Sequence, residues 1–217
     1  MSTLLKSSRT IVLPVPYFSQ PTSDTCQSTC LKMMATYLEQ SVVLQSTGGG
    51  ERDILEIWKD VNQSPQRPVM ARNAHANMKW WLERHFPTIR FEYLTLTDEG
   101  RALEKIVAFI AGGVPVLMSV SHARVPGHII LVVGYENYVP SASTPDFDLV
   151  VHDPYGRFDP SLLSKSYGRM RWLGGMSLVN GGETGPGQSC RLKITSVGRQ
   201  RRGDARRGTY YLLSAKH

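Results

Sequence analysis

Cysteine is scarce in this chain of 217 residues, with three in all, and no CxxC pair or His/Cys cluster has the spacing of zinc ligands. An odd number makes no disulfide framework, so a stapled secreted scaffold and a structural zinc module are both disfavoured. A reducing compartment fits best, and no metal or cofactor is expected. Long apolar runs are also missing, since none reaches the ~18 residues that a membrane span requires. The N-terminus, MSTLLKSSRTIVLPVPYF, lacks a lysine-first n-region followed by an uninterrupted apolar stretch and a cleavage site. Synthesis as a cytoplasmic protein is therefore expected, with any later delivery by a route that reads no N-terminal signal. There is no internal repeat and no nucleotide-binding P-loop.

Acidic residues are outnumbered, 18 against 25 basic ones, which leaves a net charge of +7 and a pI near 9.5. Such a balance favours an acidic partner: nucleic acid, an anionic wall polymer or a membrane surface. Much of the excess is local. Arg199, Arg201, Arg202, Arg206 and Arg207 share one short segment with Asp204 as its only acid, so residues 198–208 read as a basic loop.

What is present is ordinary globular material, 41% hydrophobic and 20% charged. It fits a single domain over residues 1–217, with residues 1–10 polar and disordered. Its most informative stretch runs from Gln20 to Met34, QPTSDTCQSTCLKMM. Ser23, Asp24 and Thr25 are helix-capping types, and Leu31, Met34, Ala35 and Leu38 recur at helical spacing until Ser41 and the Gly48-Gly49-Gly50 run, which reads as a flexible loop. Cys26 thus opens a helix. The unpaired N–H groups and positive end of a helix favour a thiolate, lowering a thiol from its usual pKa of about 8.5. Cys26 is the candidate nucleophile. Cys30, one turn deeper, and Cys190, at a strand start, read as structural, the commoner role of a free cysteine.

Elsewhere, Ile11 to Phe18 alternates around Pro14 and Pro16 as an extended edge segment. Helices are expected over Asp53 to Val61, over Asn73 to Phe86 with His75 and His85 solvated, and from a Thr97 cap to Gly112-Gly113. Strands are expected over Ile89 to Leu96, Val114 to Val120, His128 to Tyr135 and Phe147 to Val151. Arg191 to Val197 and Thr209 to Ser214 look like a hairpin around the arginine loop, while residues 155–189 are glycine-rich and hard to assign. Helices first and antiparallel strands second make an α+β fold, N-terminal helices packed on an antiparallel sheet.

A thiolate nucleophile needs a base and a group to orient that base. His128, in PGHIILVVGY, opens an apolar strand after a Pro-Gly turn, and Asp153, in DLVVHDPYG, ends another, so pairing of the two strands sets them side by side. Gln20 supplies an amide able to donate to a developing oxyanion together with the Cys26 N–H, and loss of one such donor costs about 100- to 1,000-fold in rate. His152 points away from Asp153 along a strand and is a weak rival base, and His122 falls in a loop at the rim.

The Q-x5-C-x3-C-L-x-M-M, G-H-I-I-L-V-V-G-Y and H-D-P-Y-G blocks, in that order, resemble the cysteine, histidine and aspartate motifs of the bacteriocin-processing (double-glycine) peptidase-like family, within the papain-like superfamily. The likeness covers residues 14–40 and 114–156. It implies a papain-like fold with Cys26 as nucleophile, His128 as base, Asp153 as orienter and Gln20 in the oxyanion hole. One departure stands out: the family usually has glycine after the cysteine, whereas this chain has Gln27 and Ser28.

Papain-like chemistry is acyl transfer, which makes a thiol hydrolase of peptide or amide bonds the expected activity, or a transferase or deamidase with the same acyl-enzyme. Cell-wall peptide cross-links rank first as substrate because a basic surface suits an anionic wall; a protein or leader peptide ranks second. The alternative is a catalytically silent binding module that holds nucleic acid or another polyanion through the arginine loop, although no aromatics interleave those arginines.

Overall fold

The computed structural model describes residues 8–21, 25–41, 48–68, 74–120, 128–140, 147–154, 187–192 and 209–216. In chain order the elements are β1 (Arg9–Val12), α1 (Cys26–Ser41), α2 (Ile54–Val61), α3 (His75–His85), β2 (Phe91–Leu96), α4 (Glu99–Ala111), β3 (Val116–Val120), β4 (His128–Tyr138), β5 (Asp148–His152), β6 (Cys190–Leu192) and β7 (Tyr210–Ala215). Among the described residues the strands form one antiparallel sheet, in the order β2-β7-β3-β4-β5-β6, with β1 also paired to β4. The architecture is the expected α+β.

Helix α1 is buried along most of its length, from Cys26 to Leu38, and packs across β4. A buried helix must satisfy its polar side chains internally. Ser28 and Thr29 return their hydroxyls to the Thr25 carbonyl at 3.1 and 2.8 Å, and the Cys30 thiol donates to Ile129 O at 3.4 Å. Lys32 is 7% exposed; its ammonium donates to Gly50 O at 3.3 Å and Arg52 O at 2.7 Å and lies 5.1 Å from the centre of the Phe18 ring. Burial lowers its pKa.

That lysine helps to seat the glycine turn, which is not the flexible loop its composition suggests. Thr36 Oγ1 donates to Gly50 O at 3.2 Å, and Gly50 N–H donates to Glu39 Oε1 at 3.0 Å. A β-carbon on Gly50 would stand 2.7 Å from Thr36 Cα and 2.8 Å from Thr36 N. Only glycine lets the turn lie against the helix this closely.

Helix α2 begins with a capping box: Asp53 accepts from Leu55 N at 2.7 Å, and Glu56 accepts from Asp53 N at 3.2 Å. Helix α4 is capped by Asp98, which accepts from Arg101 N at 2.7 Å, one residue after the Thr97 cap expected. The carboxylate, level with the third helical N–H, takes the place of the threonine hydroxyl.

Two further expectations are corrected. His75 and His85 are buried, at 3% and 4% exposure, rather than solvated. His75 sits against Tyr93 and Tyr211 with Nε2 3.2 Å from Ser119 Oγ, and His85 lies 4.4 Å from the Trp81 ring. Their positions on α3 face β2, β7 and the glycine turn, so neither belongs to a solvated face.

The second correction concerns the last two strands, which do not form a hairpin. β6 pairs with β5 at one edge of the sheet, whereas β7 lies between β2 and β3, with Phe91 opposite Ala215 and Leu117 opposite Leu213. The near-continuous apolar character of YYLLSA suits a strand buried among others better than one arm of an exposed ribbon.

Candidate active site

The site is assembled from the start of α1, the start of β4 and the end of β5. Thr25 O accepts the first intrahelical bond from Thr29 N–H at 2.9 Å, so Thr25 stands at the N-cap and Cys26 in the first turn. Ser23 and Asp24 lie outside the described residues. Cys26 is 8% exposed, its thiol at the positive end of the helix.

Strand β4 begins with His128, opposite Val120 on β3, and runs antiparallel to β5 with Leu131 opposite His152. That register carries Asp153, one residue past β5, diagonally towards the first residue of β4. His128 Nε2 lies 2.7 Å from Asp153 Oδ1, and neither side chain is exposed. The Cys26 thiol interacts with the same imidazole.

The electrostatics follow from that chain of contacts. Burial alone raises the Cys26 thiol, but the hydrogen bond and charge of His128, with backbone groups of Ile129 and Gln27, outweigh it and bring the pKa below the usual thiol value. Burial lowers His128, yet Asp153 and then Cys26 overcome it and lift the imidazolium to about 10. Cys30, equally buried but without a base, is raised well above a free thiol by burial and by the neighbouring Cys26 and Asp153. Two thiols one helical turn apart are thus shifted in opposite directions.

Residues 13–20 run beside the Asp153 loop. Leu13 N–H donates to Val133 O at 2.8 Å, Tyr17 OH to Asp153 O at 3.1 Å, and Gln20 N–H to Pro154 O at 2.9 Å. Gln20, 2% exposed, is thereby fixed against the loop that carries the acid. On the other side, Asp153 N–H donates to Gly187 O at 2.8 Å. His152 is not a rival base: its Nε2 is 2.9 Å from Val15 O, and its Nδ1 accepts from Ser189 N–H at 3.1 Å.

The structure thus brings Cys26, His128 and Asp153 together and places Gln20 beside Pro154. Cys30 is a core residue and Cys190 a half-buried one at the start of β6. Sequence reasoning missed Tyr17 and the part played by His152. The alternation through LPVPYF contained the signal for Tyr17, since it sets Leu13, Val15 and Tyr17 on one buried side. His122 and the arginines of 199–207 lie outside the described residues. Among the described residues there is no cluster of three or more His, Cys, Asp or Glu able to hold a metal ion, and no helix long and apolar enough to cross a membrane.

No curated protein matches the chain. The model of the Peptidase_C39 like family matches residues 12–173, which takes in α1 through β5 and every element that contributes to the Cys26, His128 and Asp153 cluster. With most of its length matched, the chain belongs to the Peptidase_C39 like family and is a papain-like cysteine peptidase, a hydrolase.

Proposed function

We propose that Cys26 is the nucleophile, His128 the acid–base group, Asp153 its orienter, and Gln20 with the Cys26 N–H the oxyanion donors in hydrolysis of peptide or amide bonds. The observation that carries this reading is the solvent-free Asp153–His128 pair at 2.7 Å, with Cys26 beside the same imidazole so that the two shift each other's titration. The thiolate attacks the carbonyl carbon, and the imidazolium gives its proton to the departing amine as the C–N bond breaks. Water then loses a proton to His128 and attacks the thioester. The acid product leaves and the ion pair is restored.

For the substrate, a net charge of +7 favours an anionic surface, and peptide cross-links of a cell wall fit that charge best. Purified peptidoglycan incubated with the parent protein and with Cys26→Ala tests this. New amino groups released by the parent alone support the wall substrate. Cleavage of a polypeptide but not of peptidoglycan moves the substrate to the protein or leader-peptide class. Turnover undiminished in Cys26→Ala would sink the assignment of the nucleophile.

A further inference from the structure

The hydrogen bonds of His152 fix its tautomer. Val15 O is an acceptor only, so Nε2 carries a hydrogen; Ser189 N–H is a donor only, so Nδ1 does not. The neutral Nε2–H form is the one form of the ring that satisfies both neighbours.

Those neighbours belong to the two segments that hold the Asp153 peptide. Residues 13–20 supply Tyr17 OH to the Asp153 carbonyl, and residues 187–189 supply Gly187 O to the Asp153 N–H. His152 therefore ties together the supports on both sides of the residue that orients His128. Ser189 has φ 50°, the left-handed region that costs a non-glycine residue energy, and such a conformation persists when its surroundings fix it. The bond to His152 Nδ1 is one of the constraints that do so.

We propose that His152 is a positioning residue for the active site, and that its protonation releases the 187–189 segment and turns Cys26 reactivity down in acid. This rests on the triad reading above. A proton on Nδ1 removes the acceptor for Ser189 N–H and sets two hydrogens against each other, while the Nε2 bond to Val15 O is kept. Among the described residues Tyr17, from the N-terminal segment, lies centroid to centroid with the ring at 5.6 Å, Asp153 is next in sequence, Cys190 on β6 pairs with the preceding residue Val151, and β4 presents Leu131 opposite His152. Burial lowers the ring's pKa by more than hydrogen bonding to the Val15 and Val151 backbone raises it, in keeping with a neutral form at neutral pH.

The test follows iodoacetamide alkylation of Cys26 by mass spectrometry from about pH 4 to about pH 8, with the His152 titration read from its imidazole NMR signals. The parent, His152→Gln, His152→Phe and His128→Ala are compared. In the parent, Cys26 reactivity should fall in acid at the pH where His152 takes up its proton. His152→Gln keeps a donor and an acceptor that do not titrate, so it should hold most of the neutral-pH rate and lose that acid step. His152→Phe, which keeps neither bond, should lower the rate about tenfold or more at neutral pH if the acid is displaced. Should the Phe variant fail to fold, the Gln variant alone decides. A His152→Gln profile that superimposes on the parent's, with His128→Ala still suppressed, overturns the positioning role and leaves the triad intact. Cys26 as reactive in His128→Ala as in the parent overturns the triad and this proposal with it.

Discussion

His128 and Asp153 meet at 2.7 Å with no exposed surface on either side chain. A charge pair removed from water is costly to break by deleting one partner, because the survivor is left buried and uncompensated. Asp153→Asn keeps the shape and removes the charge that holds His128 protonated. Cys26 alkylation at neutral pH should drop by about 100-fold or more, by analogy with loss of the orienting carboxylate in other triads. A rate within a few-fold of the parent's would show that the carboxylate is not needed to activate the thiol.

The pH range of the ion pair follows from the same contact. His128 is lifted from 6.5 to about 10, so the stability it contributes is fully present below 6.5 and is lost as pH rises through about 10. Histidine NMR signals should show His128 still protonated at pH 8. A His128 that titrates near 6.5 would contradict the buried pairing.

His75 should make the fold sensitive to acid. Burial depresses it from 6.5 to about 3, so the folded protein binds fewer protons than the unfolded chain between those values. Its contribution is present above 6.5 and is lost as pH falls towards 3, at a slope of up to ~1.4 kcal/mol per pH unit. Urea midpoints at pH 7 and pH 4 should differ less in His75→Phe than in the parent. Equal losses in the two proteins would show that other groups carry the acid sensitivity.

Two glycines separate steric from conformational cost. Gly50→Ala puts a methyl group 2.7 Å from Thr36 Cα and should destabilise by about 1–3 kcal/mol, as overpacking does. Gly113 has φ +80° and open space around its Cβ position, so Gly113→Ala should cost about 1–2 kcal/mol through backbone strain alone. Thermal melts compare them, and a small deletion at Thr36 (Thr36→Ala) should not rescue Gly50→Ala, because the clash is with backbone.

The elements whose identity local chemistry dictates were legible in the sequence. Helix α1 announced itself by capping residues and periodic apolar positions, and β4 and β5 by β-branched runs, the first opening at His128 and the second closing just before Asp153. What local pattern does not encode is which strand lies beside which. The 210–215 segment looked like a partner for the strand before it, but it is drawn between β2 and β3, where its apolar side chains are buried. For the same reason His75 and His85 read as surface residues on a helix whose burying neighbours come from distant parts of the chain. At the site, the residue types were legible, whereas the backbone supports around Asp153 were not. Tyr17 and Gly187 lie 136 and 34 residues from it, and a hydrogen bond to a carbonyl or an N–H leaves no mark in sequence spacing.

The place of β7 has a consequence for timing. Among the described residues β2 and β3 are joined in the sheet only through it, yet it follows every other described element. During synthesis β2 waits without that neighbour, and β3, next to the strand that bears His128, keeps an open edge until residues 210–215 have emerged. Pairing over such a separation is a late and slow event in folding. A nascent chain stopped before Tyr210 would hold all the residues of the proposed triad and lack the strand that closes the sheet behind them, which defers full hydrolytic competence until residues 210–215 have been made.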